Sequence, residues 1–418
     1  MEDMKKHLGQ VDVAKVKLMV RVEEDYENGK LSFDEARSLL EERVGSCTPA
    51  EIALAEQMFT EEDPDQCRKE DIQGKLALFE GILQTGMEGL PADHPLSRYV
   101  QENEACKKIT LEIEDLVQYP LIKNQWIELY DRLMQVKRHL SRKQMQLYPV
   151  LEQKGFTRPT TTMWTLDDYV RDEIRDARAL LDADDDDAFI ARQQTIVADL
   201  RDLMAKEESI LFPTSLKMIT PEEFEAMKSG DAEIGYAWLD LDVDHRALER
   251  EQKAASSPDA TFVDELAALL GKHGIAAGPD AELDMKMGKL TLSQVNLMLQ
   301  NLPLDISFVD EHEIVKFYSD TDHRIFPRSK NVIGRDVKNC HPRASVHIVQ
   351  EIVEKFRAGE EDEVDFWINK PGAFIYIYYK AVRDEDGTFR GVLEMMQDCT
   401  RIRSLEDSRT LLTWGSEK

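Results

Sequence analysis

The sequence has 418 residues, 42% hydrophobic and 32% charged, and its 82 acidic against 53 basic side chains leave a net charge of −29. A chain of that length outgrows one compact core and predicts two to four folded domains of about 100–200 residues, while the low proline and glycine content speaks against a disordered or fibrous chain. The negative charge argues against direct binding to nucleic acid or to an anionic membrane, because both would repel it.

Cys47, Cys67, Cys106, Cys340 and Cys399 are odd in number, widely spaced and without a CxxC pair. Neither a disulfide framework nor a zinc ribbon is indicated, and a reducing cytoplasm fits best. The first residues, MEDMKKHLGQVDVAKV, lack the apolar stretch of a signal peptide, and no apolar run approaches the ~18 residues that span a bilayer.

Residues 1–86 read as a helical domain of short helices. Ser32 with Glu35, and Thr48-Pro49 with Glu51, are capping boxes that mark helix starts. In TPAEIALAEQMF the residues Ile52, Leu54, Ala55, Met58 and Phe59 form a narrow apolar stripe, so this helix is expected to pack on its neighbours. Residues 87–240 lengthen into a bundle of four or five amphipathic helices. The stretch IKNQWIELYDRLMQVKRHL reads as one helix with Ile122, Trp126, Leu129, Leu133, Val136 and Leu140 on one face. An internal echo, KQMQLYP at 143–149 and EESILFP at 207–213, points to two helix hairpins of similar design.

Residues 241–288 read as a linker holding one short helix, FVDELAALLGKHG. From 289 to 405 a capped helix, TLSQVNLMLQNLP, precedes stretches in which β-branched and aromatic residues alternate with polar ones, and RDEDGTF supplies a hairpin turn. Helix, two strands, helices and three strands make an α+β domain with a five-stranded antiparallel sheet. Residues 406–418 form a polar tail except for Leu411, Leu412 and Trp414.

In this last domain Pro342 predicts a helix beginning near 341. Val346, Val349, Ile352, Val353 and Phe356 form its apolar stripe, and His347 lies on the polar side. The six-residue gap from His341 to His347, about 240° of rotation, keeps one ion from taking both. On the strand after it, Phe374, Tyr376 and Tyr378 share one face and Ile375, Ile377 and Tyr379 the other, so one set must be inside. The ligand pocket is expected among His341, His347, Phe374, Tyr376 and Tyr378. A filled aromatic core fits the same residues.

TPAEIALAEQ and ALFEGIL resemble the domain of unknown function numbered 438. HPLSRYVQENEA, RHLSRKQMQLYP and KEESILFP resemble a hemerythrin-like bundle, and LTLSQVNLMLQNLPLDISFVDE, the stretch from RIFPRS to SVHIV, and FIYIYYKAVRDEDG resemble a PAS domain. The chain is thus similar to a bacterial and archaeal family that joins the three. This resemblance implies a sensory or regulatory protein, since PAS domains bind small ligands or partners and rarely catalyse. It also implies that a haem, if the PAS domain carried one, would take His341 or His347 as its axial ligand.

A hemerythrin-like bundle that holds two irons needs several inward histidines and carboxylates. Between 87 and 240 the histidines are His94 and His139. Where the pattern asks for further ligands stand Ser97, Lys143, Gln144 and Leu203, and a lysine adds positive charge where a cation would bind. On a helical wheel His139 falls at the border of the apolar face, beside Gln125 and Gln135. No metal centre is therefore expected. His94, His139, Glu207 and Glu208, with Glu102 and Glu104, are left as weak candidates for a single ion.

Together these features point to a cytoplasmic PAS-containing sensor without catalysis and with no cofactor expected. It binds a small molecule or a protein and signals through protein contact, because no kinase, cyclase or DNA-binding motif comes after the PAS domain. A homodimer is expected through helix 291–301 and the TLLTW tail. The alternative is a haem or iron protein that senses or handles oxygen, nitric oxide or redox state. Nucleophile elbow, phosphate loop and HExxH are absent from the sequence, which speaks against an enzyme.

Overall fold

Both capping boxes form. Ser32 and Thr48 receive the backbone N–H of Glu35 and Glu51, whose carboxylates accept from the N–H groups of Ser32 and Thr48 in return. In the computed structural model, which describes residues 2–8, 11–58, 75–83, 89–241, 282–319, 321, 324–326 and 328–406, four helices open the chain. They are α1 (Glu2–Leu8), α2 (Val13–Glu27), α3 (Phe33–Arg43) and α4 (Pro49–Met58). Pro49 through Ala55 of α4 are all buried, so this helix is wrapped on every side, and Glu51 is admitted by a 2.7 Å ion pair with Lys15.

The bundle continues the chain as α5 (Pro95–Leu116), α6 (Lys123–Leu133), α7 (Val136–Arg142), α8 (Tyr148–Gln153), α9 (Thr157–Asp182), α10 (Asp186–Lys206), α11 (Phe212–Met218) and α12 (Pro221–Ile234). Buried residues from α1 to α12 form one continuous apolar core, from Met4 and Leu54 to Trp126, Leu181 and Met227. The stretch read as one helix over 122–140 is interrupted at Met134–Gln135, where the amides turn back onto Tyr130 and Arg132.

The internal echo is a repeated backbone device. Lys143–Leu147 and Glu207–Leu211 are each a single π turn, closed by Tyr148 N–H on the Lys143 carbonyl and Phe212 N–H on the Glu207 carbonyl, and each has a proline in the next helical turn. A π turn inserts an extra residue and rotates the next helical turn about the axis. It also leaves carbonyls without their usual donors. Tyr148 N–H is diverted from the Gln144 carbonyl, and Pro149 has no N–H for Met145.

Those carbonyls are satisfied by a segment far along the chain. The fold divides into two units, and Arg328–Arg335 and Asn339–Ala344 belong with the helical one. Arg335 donates to the Gln144 carbonyl at 2.7 Å, Ser329 Oγ to the Met145 carbonyl at 2.6 Å and Asn331 Nδ2 to Gln146 Oε1 at 2.7 Å. The Arg335 guanidinium also forks onto Glu152 at 2.7 and 2.8 Å and lies over the Trp164 ring. Arg335→Ala is expected to lower the stability of the helical unit by about 2–3 kcal/mol, because charge-assisted bonds are lost and Glu152 keeps no fork partner. Urea unfolding monitored by helical circular dichroism checks it.

The second unit opens with a hairpin, β1 (Glu282–Met285) and β2 (Gly288–Thr291), where the sequence suggests linker. Helix α13 (Leu292–Gln300) comes next, capped by Thr291 and Gln294 as its spacing predicts. β3 (Asp305–Asp310), β4 (Val315–Tyr318), β5 (Glu363–Lys370), β6 (Ala373–Arg383) and β7 (Phe389–Asp398) form one antiparallel sheet in the order β4-β3-β7-β6-β5. Helix α14 (Arg343–Ala358) lies between the second and third strands in sequence, and α15 (Thr400–Arg403) ends the described chain. β7 meets β3 so closely at Gly391 (φ +139°) that a Cβ there would stand 2.1 Å from the Val309 carbonyl oxygen. Residues 242–281 of the expected 241–288 linker, with its short helix, and residues 407–418 of the expected tail lie outside the described residues.

Candidate functional site: a buried chain of alternating charges

Inside the bundle, seven ionisable side chains form a line in which acid and base alternate: Asp167, Lys143, Glu207, His139, Glu102, Arg142, Asp231. Lys143 Nζ donates to Asp167 at 2.6 Å and to Glu207. His139 bridges Glu207 through Nε2 at 3.2 Å and Glu102 through Nδ1 at 2.8 Å. Arg142 bridges Glu102 at 2.9 Å and Asp231 at 3.0 Å. None of these side chains is more than 4% exposed. The carboxylates come from four separate helical segments, α5, α9, the second π turn and α12. The three bases come from one turn, at positions i, i+3 and i+4, which share a helix face.

Burial and neighbours set the charge states. Burial pushes the Glu207 carboxyl up, but the Lys143 ammonium and His139 outweigh it and hold the group at about 2. For Glu102 burial is again outweighed, here by Arg142, and its carboxyl stays below the usual range. Burial works against protonation of His139, yet Glu207 and Glu102 on either side raise its pKa. At the ends of the line burial prevails, and Asp167 and Asp231 are raised despite Lys143 and Arg142. Further donors join the line: Tyr148 OH to Asp167 at 2.8 Å, Asn103 Nδ2 to Glu207 at 2.9 Å and Ala237 N–H to Glu102 at 2.6 Å, while Asp231 Oδ1 and Arg142 Nε have no hydrogen-bond partner among the described residues. The Arg142 guanidinium lies 4.2 Å from the Tyr99 ring centroid and 4.4 Å from that of Tyr236, a cation–π clamp.

As they stand, these residues do not fit a metal. Every carboxylate that would be a ligand already bonds a protein cation, and among the described residues no three His, Cys, Asp or Glu side chains are grouped to hold an ion. His139, expected at the edge of the bundle's apolar face, lies at its centre. The expectation assumed one continuous helix over 122–140, whereas the interruption at Met134–Gln135 resets the rotation. His94 caps α5, where Nδ1 accepts from Leu96 N–H at 3.2 Å and the ring packs on Phe224. Glu207 sits in the line, but Glu208 turns outward to Lys107 and Asn103, and exposed Glu104 also pairs with Lys107.

In the sheet unit the buried face carries the other set of β6 residues. Ile375, Ile377 and Ala381 are buried, with Tyr379 between them. Phe374, Tyr376 and Tyr378 point the opposite way, and the two tyrosines donate to Asp365 and Glu363 on exposed β5. This corrects the expected pocket: hydroxyls that find carboxylates beside solvent need no interior. His347 is exposed on α14 and His341 half-buried ahead of it.

Missed in the sequence was a polar row across the inner face. Ser307, Glu394 and Tyr379 are register partners on β3, β7 and β6. Tyr379 OH donates to Glu394 at 2.8 Å. The Ser307 hydroxyl, 2% exposed, has no hydrogen-bond partner among the described residues. On one side of the row lie Val353, Phe356, Ala381, Phe389 and Val392, and on the other Ile375, Ile377 and Met396.

Comparison with known proteins agrees with this division. Residues 94–215 match the hemerythrin HHE cation binding domain, and residues 295–400 match a PAS domain. The chain is similar to the crystal structure of a C-terminal domain from Streptococcus mutans, with 35% identity over 31% of this chain and all of that one (TM-score 0.30). It is also similar to a sensory box sensor histidine kinase from Vibrio cholerae, with 13% identity over 26% of this chain and 89% of that one (TM-score 0.20). A PAS domain from Colwellia psychrerythraea shares 18% identity over 26% of this chain and 98% of that one (TM-score 0.21). No curated protein matches.

Proposed function

We propose that this chain, a hemerythrin-type bundle joined to a PAS domain, is a sensor that works by binding. Its PAS domain takes a small molecule against the row Ser307–Glu394–Tyr379 and passes the signal on by protein contact. The observation that carries the reading is the Ser307 hydroxyl, buried in the middle of a sheet face with its hydrogen-bonding capacity unused, since buried polar groups are nearly always paired. With the Glu394 carboxylate beside it, the row suits a ligand that presents N–H or O–H donors from an apolar or aromatic body. The resemblance of residues 1–86 to the unknown-function domain 438 belongs to the same proposal.

Binding without catalysis is supported by the state of the inner thiols. Burial pushes Cys47 and Cys106 up to about 12, which keeps them protonated and unreactive. No helix among the described residues is long and apolar enough to cross a membrane. The proposed partner in assembly is a second copy of the chain. Leu292, Leu297, Met298 and Leu302 are exposed on and beside α13, and Phe366 and Trp367 on the edge strand β5.

Native mass spectrometry of the freshly purified chain is the direct test. A bound small molecule is expected on the wild type. Glu394→Gln and Ser307→Val should each reduce its occupancy roughly 5- to 10-fold, the worth of one buried hydrogen bond to a charged or neutral partner. An adduct unchanged in both variants would move the site elsewhere. No adduct, with no thermal shift from a panel of small amines, phenols and purines, would remove the reading.

A further inference from the structure

We propose that Arg142 and Lys143 are built-in replacements for the metal ions that a carboxylate–histidine helical bundle is made to hold, so that this bundle keeps its charge balanced by its own chain and takes up no iron. The argument begins from cost. Four carboxylates, Glu102, Asp167, Glu207 and Asp231, are buried to 2% exposure or less. Isolated ionised carboxylates cannot be carried into such an interior, so cations must come with them. A metal-binding bundle imports those cations. Here they arrive on α7 and the first residue of its π turn, placed between acids from four helical segments.

The arrangement is specific to cations. The Lys143 ammonium joins Asp167 and Glu207, with Tyr148 closing on Asp167, while Arg142 joins Glu102 and Asp231. His139, between the two basic groups, bonds an acid through each ring nitrogen. A neutral imidazole ligand would offer a lone pair to a metal, whereas here both nitrogens face carboxylate oxygens. Each acid of the line already bonds a cation of the chain, with Asp231 Oδ1 the one carboxylate oxygen that has no hydrogen-bond partner among the described residues, and removing one ammonium frees His139, Asp167, Glu207 and Tyr148 around the same place. Imidazole, carboxylate and phenol are donors for first-row transition metals.

The test measures metal directly. Wild type, Lys143→Ala and Lys143→Met are incubated with cobalt(II), desalted, and assayed for metal content, visible absorption and thermal unfolding. The wild type is expected to retain under about 0.1 ion per chain and Lys143→Ala about one, roughly a tenfold rise. Lys143→Ala should show cobalt d–d bands, and its unfolding midpoint should rise with cobalt, as binding to the folded state requires. Lys143→Met, which fills the space without a charge or a hard donor, should stay metal-poor. Stoichiometric metal on the wild type overturns the proposal, as does a folded Lys143→Ala that takes up none. Should Lys143→Ala fail to fold, the wild type decides alone: expression in iron-replete medium and treatment with a chelator should leave its melting temperature unchanged, and a drop overturns the proposal.

Discussion

Replacing Arg142 by methionine is expected to destabilise the helical unit by about 3–5 kcal/mol, the usual result of leaving buried charges without their partner. Glu102 would retain His139 and the Ala237 amide, but the bond from Arg142 to Asp231 Oδ2 would vanish. The Tyr99 and Tyr236 rings would also lose the cation they enclose. Adding Asp231→Asn should recover part of the loss, because a neutral amide tolerates burial better than an unpaired carboxylate. Urea unfolding of both variants, monitored at the helical signal, measures the difference. A loss below about 1 kcal/mol for Arg142→Met would mean that the line is not the closed ion-paired unit described.

The second large effect is in pH. His139 is raised above its ordinary 6.5 in the folded chain, so the folded state binds its proton more tightly than the unfolded one. That stabilisation is fully present below pH 6.5 and is lost as pH rises through the folded value. Glu207 has the opposite sign. Held at about 2 against an ordinary 4.5, it contributes fully above pH 4.5 and fades as pH falls toward 2. Asp167 and Asp231, raised by burial, take up protons more readily folded than unfolded and partly offset that acid loss. The stability gap between wild type and His139→Gln should therefore be widest below pH 6.5 and narrow steadily on the alkaline side. A gap constant from pH 5.5 to 9 would mean that folding leaves the His139 pKa unchanged.

Much of the line is legible in the sequence from the placement of charge rather than from the spacing of metal ligands. Four of its members occupy apolar-stripe positions of their helices. Asp167 falls between Met163 and Val170, Glu102 between Tyr99 and Cys106, Lys143 between Leu140 and Leu147, and Glu207 between Leu203 and Leu211. A charge in the stripe is costly enough to require a partner, and four on neighbouring helices imply one another. Histidine and glutamate spacing alone passes over Arg142, Asp167 and Asp231. The two π turns and the interruption at Met134–Gln135 explain why wheel geometry fails along these helices, since an inserted residue is invisible to a period of 3.6.

In the sheet domain, alternation correctly separates the two faces of β6 but cannot choose between them, because both carry large residues. The choice is settled by partners elsewhere in the domain: Asp365 and Glu363 draw Tyr376 and Tyr378 outward, while Val353 and Phe356 of α14 cover the other side. The strands and the capped helix α13 are legible, because turn chemistry and capping residues are local. The seating of Arg335 is not, since 183 residues separate it from Glu152.

That seating bears on how the protein is made. The helical unit has its twelve described α-helices once the ribosome has passed residue 234, yet the donors for the Gln144 and Met145 carbonyls arrive only with residues 328–335. A fragment ending anywhere in 241–288, where a domain boundary would ordinarily be cut, is therefore an unfinished bundle. Nascent chains paused in that window should be more open to proteases at the first π turn than the completed polypeptide.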